Sequence, residues 1–375
     1  MLAIGLMSGT SLDGVDVSLV KITKRNKYRY KEIDSLFVPY SEELKQRILD
    51  ASKLDTSNVQ KICSLNVELG YVYLDAIKQL LSNRNLDSSM LSFIAMHGQT
   101  IWHNPNQMDG YYSSTLQIGD PSIIAYNLNV EVISNFRMMD MAAKGCGAPL
   151  VPFVNYLLNQ DEARSIAFQN IGGVSNVTYI PKKSSNNMVI AFDNGPGNLL
   201  IDQAMQILYH KPFDENGTVA SLGCVNNQVL NELMNDDYIL RPYPKSTGRE
   251  KYNNNFVMNI IEKMKNEPKQ NIIATITAYT ADAIIDSVTR FYSDIDELIV
   301  SGGGANNSFI MNRLKNKLKC KVSIYKKSDS YEAFCFCVLG HRTYIKEPSN
   351  LPCVTGAESD VILGNITYPP RKKEK

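Results

Sequence analysis

The chain opens on an apolar run, Leu2 to Met7, broken by the polar turn Ser8-Gly9-Thr10-Ser11. Val15, Val17 and Leu19 then alternate with Asp16 and Ser18, a period of two that predicts a second strand. Strand, tight turn and strand make an N-terminal hairpin. Ser41 starts a helix with Glu42 and Glu43 in its first turn, where the helix dipole favours acids. Ile62, Leu65, Leu69, Val72 and Leu80 have helical spacing and predict a longer helix from about Asn58 to Leu81. Phe93 to Met96 reads as a buried strand ending in His97-Gly98-Gln99-Thr100. Residues 103–114 read as a loop, and Leu116 to Ile118 as a strand. Gly119-Asp120-Pro121 then starts a helix, with Pro near its first position. Gly145, Gly147 and Pro149 cluster where a domain boundary is expected, at 130–150.

The second half repeats the theme. Ser165 to Phe168 and Val174 to Tyr179 are strands joined by a turn at Asn170 to Gly173. Met188 to Phe192 is a strand ending in Asp193-Asn194-Gly195-Pro196-Gly197-Asn198, with a helix after it. A helix at about 271–292 feeds strand Leu298-Ile299-Val300 and the turn Ser301-Gly302-Gly303-Gly304. Helix 307–318, strand 321–325 and helix 330–346 follow. Strands alternate with helices and hairpins occur twice, so the class is α/β with mixed sheets. A coarse duplication is visible, with one polar glycine turn near the start and another near the middle.

Composition narrows the options. A length of 375 residues suggests two domains. With 44% hydrophobic and 21% charged residues, the chain can build cores and is not disordered. Lys+Arg 39 against Asp+Glu 38 gives +1, which offers no net field for nucleic acid or an anionic membrane. The one basic run, Arg371, Lys372, Lys373 and Lys375, reads as a solvated end. No unbroken apolar run approaches the roughly 20 residues of a membrane helix; the longest is Ala333 to Leu339. The N-terminus lacks a basic segment and carries Asp13 and Asp16 where a signal peptide is apolar. Seven scattered cysteines, an odd number, fit a reducing cytoplasm better than a disulfide framework. Cys335 and Cys337 would point roughly 200° apart on a helix and cannot share a metal there. They read as small buried apolar residues.

Three glycine turns follow apolar strands directly: 5-GLMSGTSLDG-14, 192-FDNGPGN-198 and 300-VSGGGANN-307. Such turns either cradle phosphate oxygens with backbone N–H groups or are ordinary tight turns. Ligands of α/β folds bind at the C-terminal ends of strands, where all three sit. None carries the P-loop or dinucleotide fingerprint. Asp13 and Asp193 are the acids of these turns. Each can serve a metal or take a proton from a hydroxyl or water, or bond its own backbone. His97 is a substrate hydrogen-bonding group or a histidine satisfied by nearby backbone. Arg137 and Asp140, three apart, are an ion pair on a helical turn or part of a site. The turn Lys245-Ser246-Thr247-Gly248-Arg249-Glu250 binds an anion or joins helices.

Taken in order, MSGTSLDGVD (7–16), HGQT (97–100), LQIGDP (116–121), GAPLVP (147–152), NIGGVSN (170–176), FDNGPGN (192–198), PKSTGRE (244–250), GGGANN (302–307) and VTGA (354–357) resemble the anhydro-N-acetylmuramic acid kinase family. The resemblance implies two RNase H-like domains of the actin-like ATPase superfamily, with mixed sheets around a nucleotide cleft. It implies an N-terminal domain at 1–134, a C-terminal domain at 135–346, and a segment from about 347 to 375 returning to the first. Residues 2–20, 188–198 and 297–304 look like the first phosphate, second phosphate and adenosine motifs. The implied activity is ATP-dependent: water opens the anhydro bond and O6 is phosphorylated, giving N-acetylmuramate 6-phosphate in peptidoglycan recycling. Another small-molecule kinase and a non-catalytic ATP-binding protein are the alternatives.

Residue by residue, Asp193 matches the catalytic aspartate. Gly9, Thr10, Ser11, Leu12, Asp13, Gly14, Val15 and Asp16 match the ATP hairpin, and Gly195, Gly197, Gly302, Gly303 and Gly304 match further ATP-binding glycines. His97, Thr100, Arg137 and Asp140 are the expected sugar contacts, and Glu332 a metal or water ligand. ATP and Mg²⁺ are the implied cofactors, and a cytoplasmic homodimer the implied form. The chain departs from the family pattern at Asn194, where Thr is common, at Asn135, where Asp is common, and at Lys144-Gly145-Cys146-Gly147, where G-G-Q-G is common. These departures bear on substrate preference more than on kinase activity.

Overall fold

The computed structural model describes every residue except 109, 186, 293, 326–329 and 371–375, so the basic tail lies outside the described residues. Two compact units emerge, Met1–Val154 with Lys327–Lys375, and Asn155–Lys326.

In the first unit, β1 (Leu2–Ser8) pairs antiparallel with β2 (Gly14–Lys24), and β2 antiparallel with β3 (Tyr28–Pro39). On its other side β1 runs parallel to β4 (Leu91–Asn104). β5 (Ser114–Ile118) folds back antiparallel on β4, and β6 (Val132–Ser134) lies parallel to β4. A last short strand, Asn365–Thr367, closes the sheet beside β6. Alternation along β1 sends Ile4 and Leu6 to one face, where they are buried with Leu69 and Ile77 of helix Val59–Asn83. Gly5 faces the other way, onto helix Tyr331–Tyr344. A Cβ there would lie 1.9 Å from the Ala333 carbonyl oxygen. At Gly340 a Cβ would lie 2.5 Å from that of Ala95. Close backbone approach therefore fixes helix 331–344 to this sheet. This puts the second division at 326/327 rather than the expected 346/347; the first falls at 154/155 rather than 134/135. Cys335 and Cys337 are buried on this helix as expected.

In the second unit, β7 (Ile166–Ile171), β8 (Val174–Ile180) and β9 (Ile190–Pro196) form an antiparallel meander. β10 (Glu297–Ser301) runs parallel to β7, and β11 (Lys321–Ile324) parallel to β10. The order β9-β8-β7-β10-β11 repeats β3-β2-β1-β4-β6 of the first unit. Both sheets thus have the mixed, duplicated α/β plan expected. Helix Lys269–Phe291 is long and apolar enough to cross a bilayer by length and composition, unlike any unbroken run in the sequence. It is mostly buried: Ile272, Ile276, Ala283 and Ile284 belong to the core of this unit. Asp282, which interrupts the apolar pattern, pairs with Arg313 at 2.6 Å.

Candidate active site

Asp193 lies within β9, opposite Asn176 of β8, and is half-buried. Its backbone is tied on both sides: its N–H donates to Lys245 O at 3.2 Å, and its C=O accepts from the Tyr238 hydroxyl at 2.8 Å. Its carboxylate accepts from the Thr247 N–H through Oδ2, at 3.0 Å. Lys245 is buried and donates from Nζ to Tyr238 O and Ile239 O at 2.9 and 3.1 Å, which ties the 244–250 turn to helix Asp237–Leu240. Burial, with Arg290 nearby, pushes the Lys245 ammonium down to about 8. The turn is therefore a brace for Asp193. Burial raises the Asp193 pKa, Thr247 opposes that, and the Glu250 charge adds to it. A carboxylate held this way, with a raised proton affinity, suits a general base.

The glycines of the three turns separate into two kinds. At Gly197 a Cβ would sit 2.1 Å from Gly172 O, and at Gly304 2.2 Å from Ile171 Cγ2. Gly195 (φ 159°) faces Ile239 and Ala283 at 3.0 and 3.2 Å, and Gly302 has φ 84°. Packing at Gly197 and Gly304, and backbone conformation with close neighbours at Gly195 and Gly302, account for glycine at these four. The N–H groups of Gly197 and Asn198 are also taken, by Gly173 O at 2.9 Å and Gly172 O at 2.7 Å. The 193–198 turn therefore has no free backbone donor at these two positions, which counts against a phosphate contact from the Gly197 N–H. Gly9 and Gly303 differ: the nearest atoms to an added Cβ are 3.7 and 3.4 Å away, in ordinary contact range. Neither needs to be glycine for the fold.

Within the N-terminal hairpin the expected ATP residues divide likewise. Leu12 and Val15 are buried in the hydrophobic core. A Cβ on Gly14 would collide with Val38 O at 2.2 Å. Asp16 is half-buried in β2, while Thr10, Ser11 and Asp13 stand exposed at the tip.

His97 and Arg137 come together: Arg137 Nε donates to His97 Nε2 at 3.0 Å, so the imidazole is neutral with its proton on Nδ1. Burial, then the Arg137 charge, pushes His97 down to about 3. Arg137 and Asp140 do not pair. Both hold Gly147, Arg137 donating to its C=O at 2.8 Å and Asp140 accepting from its N–H at 2.8 Å. The other Asp140 oxygen accepts from Asn350 and the Thr355 hydroxyl, at 2.9 and 2.8 Å. Asp140 is fully buried, with both oxygens engaged in a staple between the 144–147 loop and the C-terminal segment. Asp140→Asn replaces one accepting oxygen by an NH2, which then faces either the Gly147 N–H or the donating Asn350 amide. It should cost about 1–3 kcal/mol in chemical denaturation of the purified chain. Thr100 accepts from Gln117 of β5 at 3.3 Å, apart from the His97–Arg137 pair. Glu332 is exposed in the first turn of its helix, and its charge acts on Arg137.

The departures from the family pattern have local reasons. Asn135 has φ 59°, which Asn tolerates, and donates to Asn365 Oδ1 at 3.1 Å. Lys144 pairs with Glu358 at 2.5 Å, and the Cys146 N–H donates to Thr355 O at 2.8 Å. Asn194 accepts from Gln169 at 2.9 Å beneath Asp193.

Two features escaped sequence reading. The topological counterpart of the β1–β2 hairpin is β7–β8, so its turn, Gly172-Gly173, stands where the 8–14 turn stands in the first unit. Neither glycine would clash with a Cβ, the nearest atoms lying at 3.6 and 3.8 Å. The Gly-Gly pair between two strands was the signal. The brace from Lys245 and Thr247 was visible only as a polar turn.

The whole of this geometry falls inside one matched region. Residues 1–369 match the family model described as anhydro-N-acetylmuramic acid kinase. An anhydro-N-acetylmuramic acid kinase of Bacillus cereus is 44% identical over 377 residues, covering 98% of this chain and 99% of the relative. One from Bacillus thuringiensis (strain Al Hakam) is also 44% identical, covering 98% of each. Among solved structures, the chain is similar to component A of Acidaminococcus fermentans (R)-2-hydroxyglutaryl-CoA dehydratase. There the TM-score is 0.44 at 12% identity, over 90% of this chain and 96% of that one. The class is thus a carbohydrate kinase. Within it, the chain belongs to the anhydro-N-acetylmuramic acid kinase family.

Proposed function

We propose that the chain opens 1,6-anhydro-N-acetylmuramic acid with water and transfers the γ-phosphoryl group of ATP to O6, with Asp193 as the base. Water adds to C1, the C1–O6 bond breaks, and O6 takes the phosphoryl group, giving N-acetylmuramate 6-phosphate and ADP. The observation that carries this reading is the braced carboxylate. Thr247 engages Oδ2, and among the described residues Oδ1 has no partner, so it is available to a water. Taking the water's proton as the bond to C1 forms is the step Asp193 performs. Arg137 keeps Nη2 for an anionic group, and the lactyl carboxylate of the sugar suits it. His97 and the Gly147 carbonyl orient that guanidinium.

The open glycines support the nucleotide reading, because Gly9 and Gly303 leave room where a Cβ would otherwise meet a phosphate or base. Gly172-Gly173 joins them. Its carbonyls are turned onto the N–H groups of Gly197, Asn198 and Leu199, which leaves the opposite N–H edge outward. Among the described residues no three His, Cys, Asp or Glu side chains gather to hold a metal. Mg²⁺ therefore fits as the companion of nucleotide phosphates, with Asp13 and Glu332 as exposed carboxylates for it. Bound there, it supplies neutralisation of phosphate charge. A cytoplasmic homodimer acting in peptidoglycan recycling, without nucleic acid or membrane, completes the reading. The seven free cysteines suit a reducing compartment.

Isotope labelling tests the central claim. Turnover in ¹⁸O-water, quenched before anomeric exchange, should give product labelled at O1 and unlabelled in the phosphate. Label in the phosphoryl group would mean that ATP hydrolysis precedes transfer. Phosphorylation of plain N-acetylmuramate, with no reaction of the anhydro sugar, would make this an ordinary amino-sugar kinase. Nucleotide binding without turnover would make it a non-catalytic relative.

A further inference from the structure

We propose that Gln99 is a positioning residue for nucleotide binding, holding the Gly9 carbonyl inward so that the Thr10 N–H points outward. The inference rests on reading the β1–β2 turn as phosphate-binding, and it adds a residue from a different strand.

Gln99 lies on β4 opposite Ser8 of β1, at the point where the β1–β4 register shifts. Its side chain is fully buried. Nε2 donates to Gly9 O at 3.1 Å and to Thr100 O at 3.4 Å. Both partners can only accept, so the orientation of the amide is fixed by them. Within a trans peptide the C=O and the following N–H point in opposite directions. The 9–10 peptide is not among the cis bonds. Drawing Gly9 O toward β4 therefore aims the Thr10 N–H away from the sheet, on the exposed side of the turn. The other hold on Gly9 O is the Leu12 N–H at 3.3 Å, a long bond across the turn. Gln99 supplies the shorter one.

Stability does not account for this residue. Gln99 Oε1 is buried and has no partner among the described residues. The unpaired oxygen offsets the two bonds of Nε2, so the amide gives the fold little over an apolar side chain of the same length. Met has that length and would leave nothing unpaired on the side chain. A fold that keeps Gln there gains the orientation of one peptide.

Gln99→Met in the full chain separates the two roles. Thermal unfolding should stay at the wild-type temperature or rise. The Kd for ADP and for a non-hydrolysable ATP analogue, by calorimetry, should increase roughly 3- to 10-fold, the effect of one backbone hydrogen bond. The KM for ATP should rise with it, with kcat at saturating ATP near wild type and affinity for the anhydro sugar unchanged. Gln99→Leu should behave alike. Gly9→Val is the control for the site itself, since its Cβ meets only Ser11 in the fold. If Gly9→Val weakens nucleotide binding and both Gln99 variants bind normally, Gln99 has no positioning role. If all three bind normally, the turn is not the phosphate site and the inference falls with that reading. A lower unfolding temperature with equal losses for nucleotide and sugar would make Gln99 a structural residue.

Discussion

Asp193→Asn should lower turnover of the anhydro sugar by roughly 10²–10⁴-fold, the usual contribution of a general base, while nucleotide affinity and the circular dichroism spectrum stay at wild type. The substitution suits the site. Asn keeps an oxygen able to accept from the Thr247 N–H, and the backbone bonds to Lys245 and Tyr238 do not involve the side chain. The brace survives and only the proton acceptor is removed. Loss of turnover can then be read as chemistry rather than misfolding. Steady-state kinetics with calorimetric nucleotide binding on one preparation checks this. A variant turning over at the wild-type rate would remove Asp193 from the mechanism. A variant that loses nucleotide as well would move it from catalysis to ligand binding.

How much of this was legible from sequence depends on what each pattern encodes. Periodicity reports one face buried against another, so the β1–β2 hairpin and the helices at Ser41 and Asn58 were readable. β3 was not, because it pairs with only β2 and its alternation is interrupted by Lys31, Glu32 and Asp34, where the register with β2 shifts. β4 runs on through His97 to Asn104, past a glycine at φ 79° that looked like a strand end. Helix 331–344 belongs to the first sheet through contacts at Gly5 and Gly340, and no local pattern announces a partner so far away along the chain. Glycine turns were found readily, but a sequence cannot tell a glycine that packing requires from one that a ligand requires. The space around each Cβ makes that distinction, and it moved Gly195, Gly197 and Gly14 to packing while leaving Gly9 and Gly303 open. Arg137 and Asp140 illustrate the same limit. Their spacing suggests an ion pair, yet both bind the backbone of Gly147, and among the described residues the Arg137 Nη2 has no partner.

The first unit should lose stability as pH falls from about 6.5 toward 4, before ordinary carboxylates titrate, with His97 and His341 responsible. His341 is fully buried. Its Nδ1 meets the Tyr30 hydroxyl at 2.8 Å, the Tyr28 ring stands edge-on at 4.5 Å, and Nε2 has no partner among the described residues. Burial, then the Arg342 charge, pushes it down to about 4. His97 is held near 3 by burial and Arg137. Both native values lie below the ordinary 6.5, so the unfolded chain takes up protons that the native state refuses. Stability is therefore fully present above 6.5 and falls as pH drops toward the native values. For His97 the full gap amounts to at most about 4–5 kcal/mol, reached only near pH 3. The raised carboxylates Asp193 and Asp202 act in the opposite direction, but both belong to the second unit. The single tryptophan, Trp102, lies in the first unit. Urea midpoints followed by its fluorescence should fall from pH 7 to pH 5. In His341→Phe, which keeps an aromatic ring beside Tyr28 and Phe93, the pH 7 midpoint should drop for loss of the Tyr30 bond, but the slope with pH should flatten. A slope equal to wild type in both His341→Phe and His97→Asn would mean that neither imidazole is held neutral by the fold. The Arg137 Nε–His97 Nε2 hydrogen bond, which requires a neutral imidazole, would then not stand.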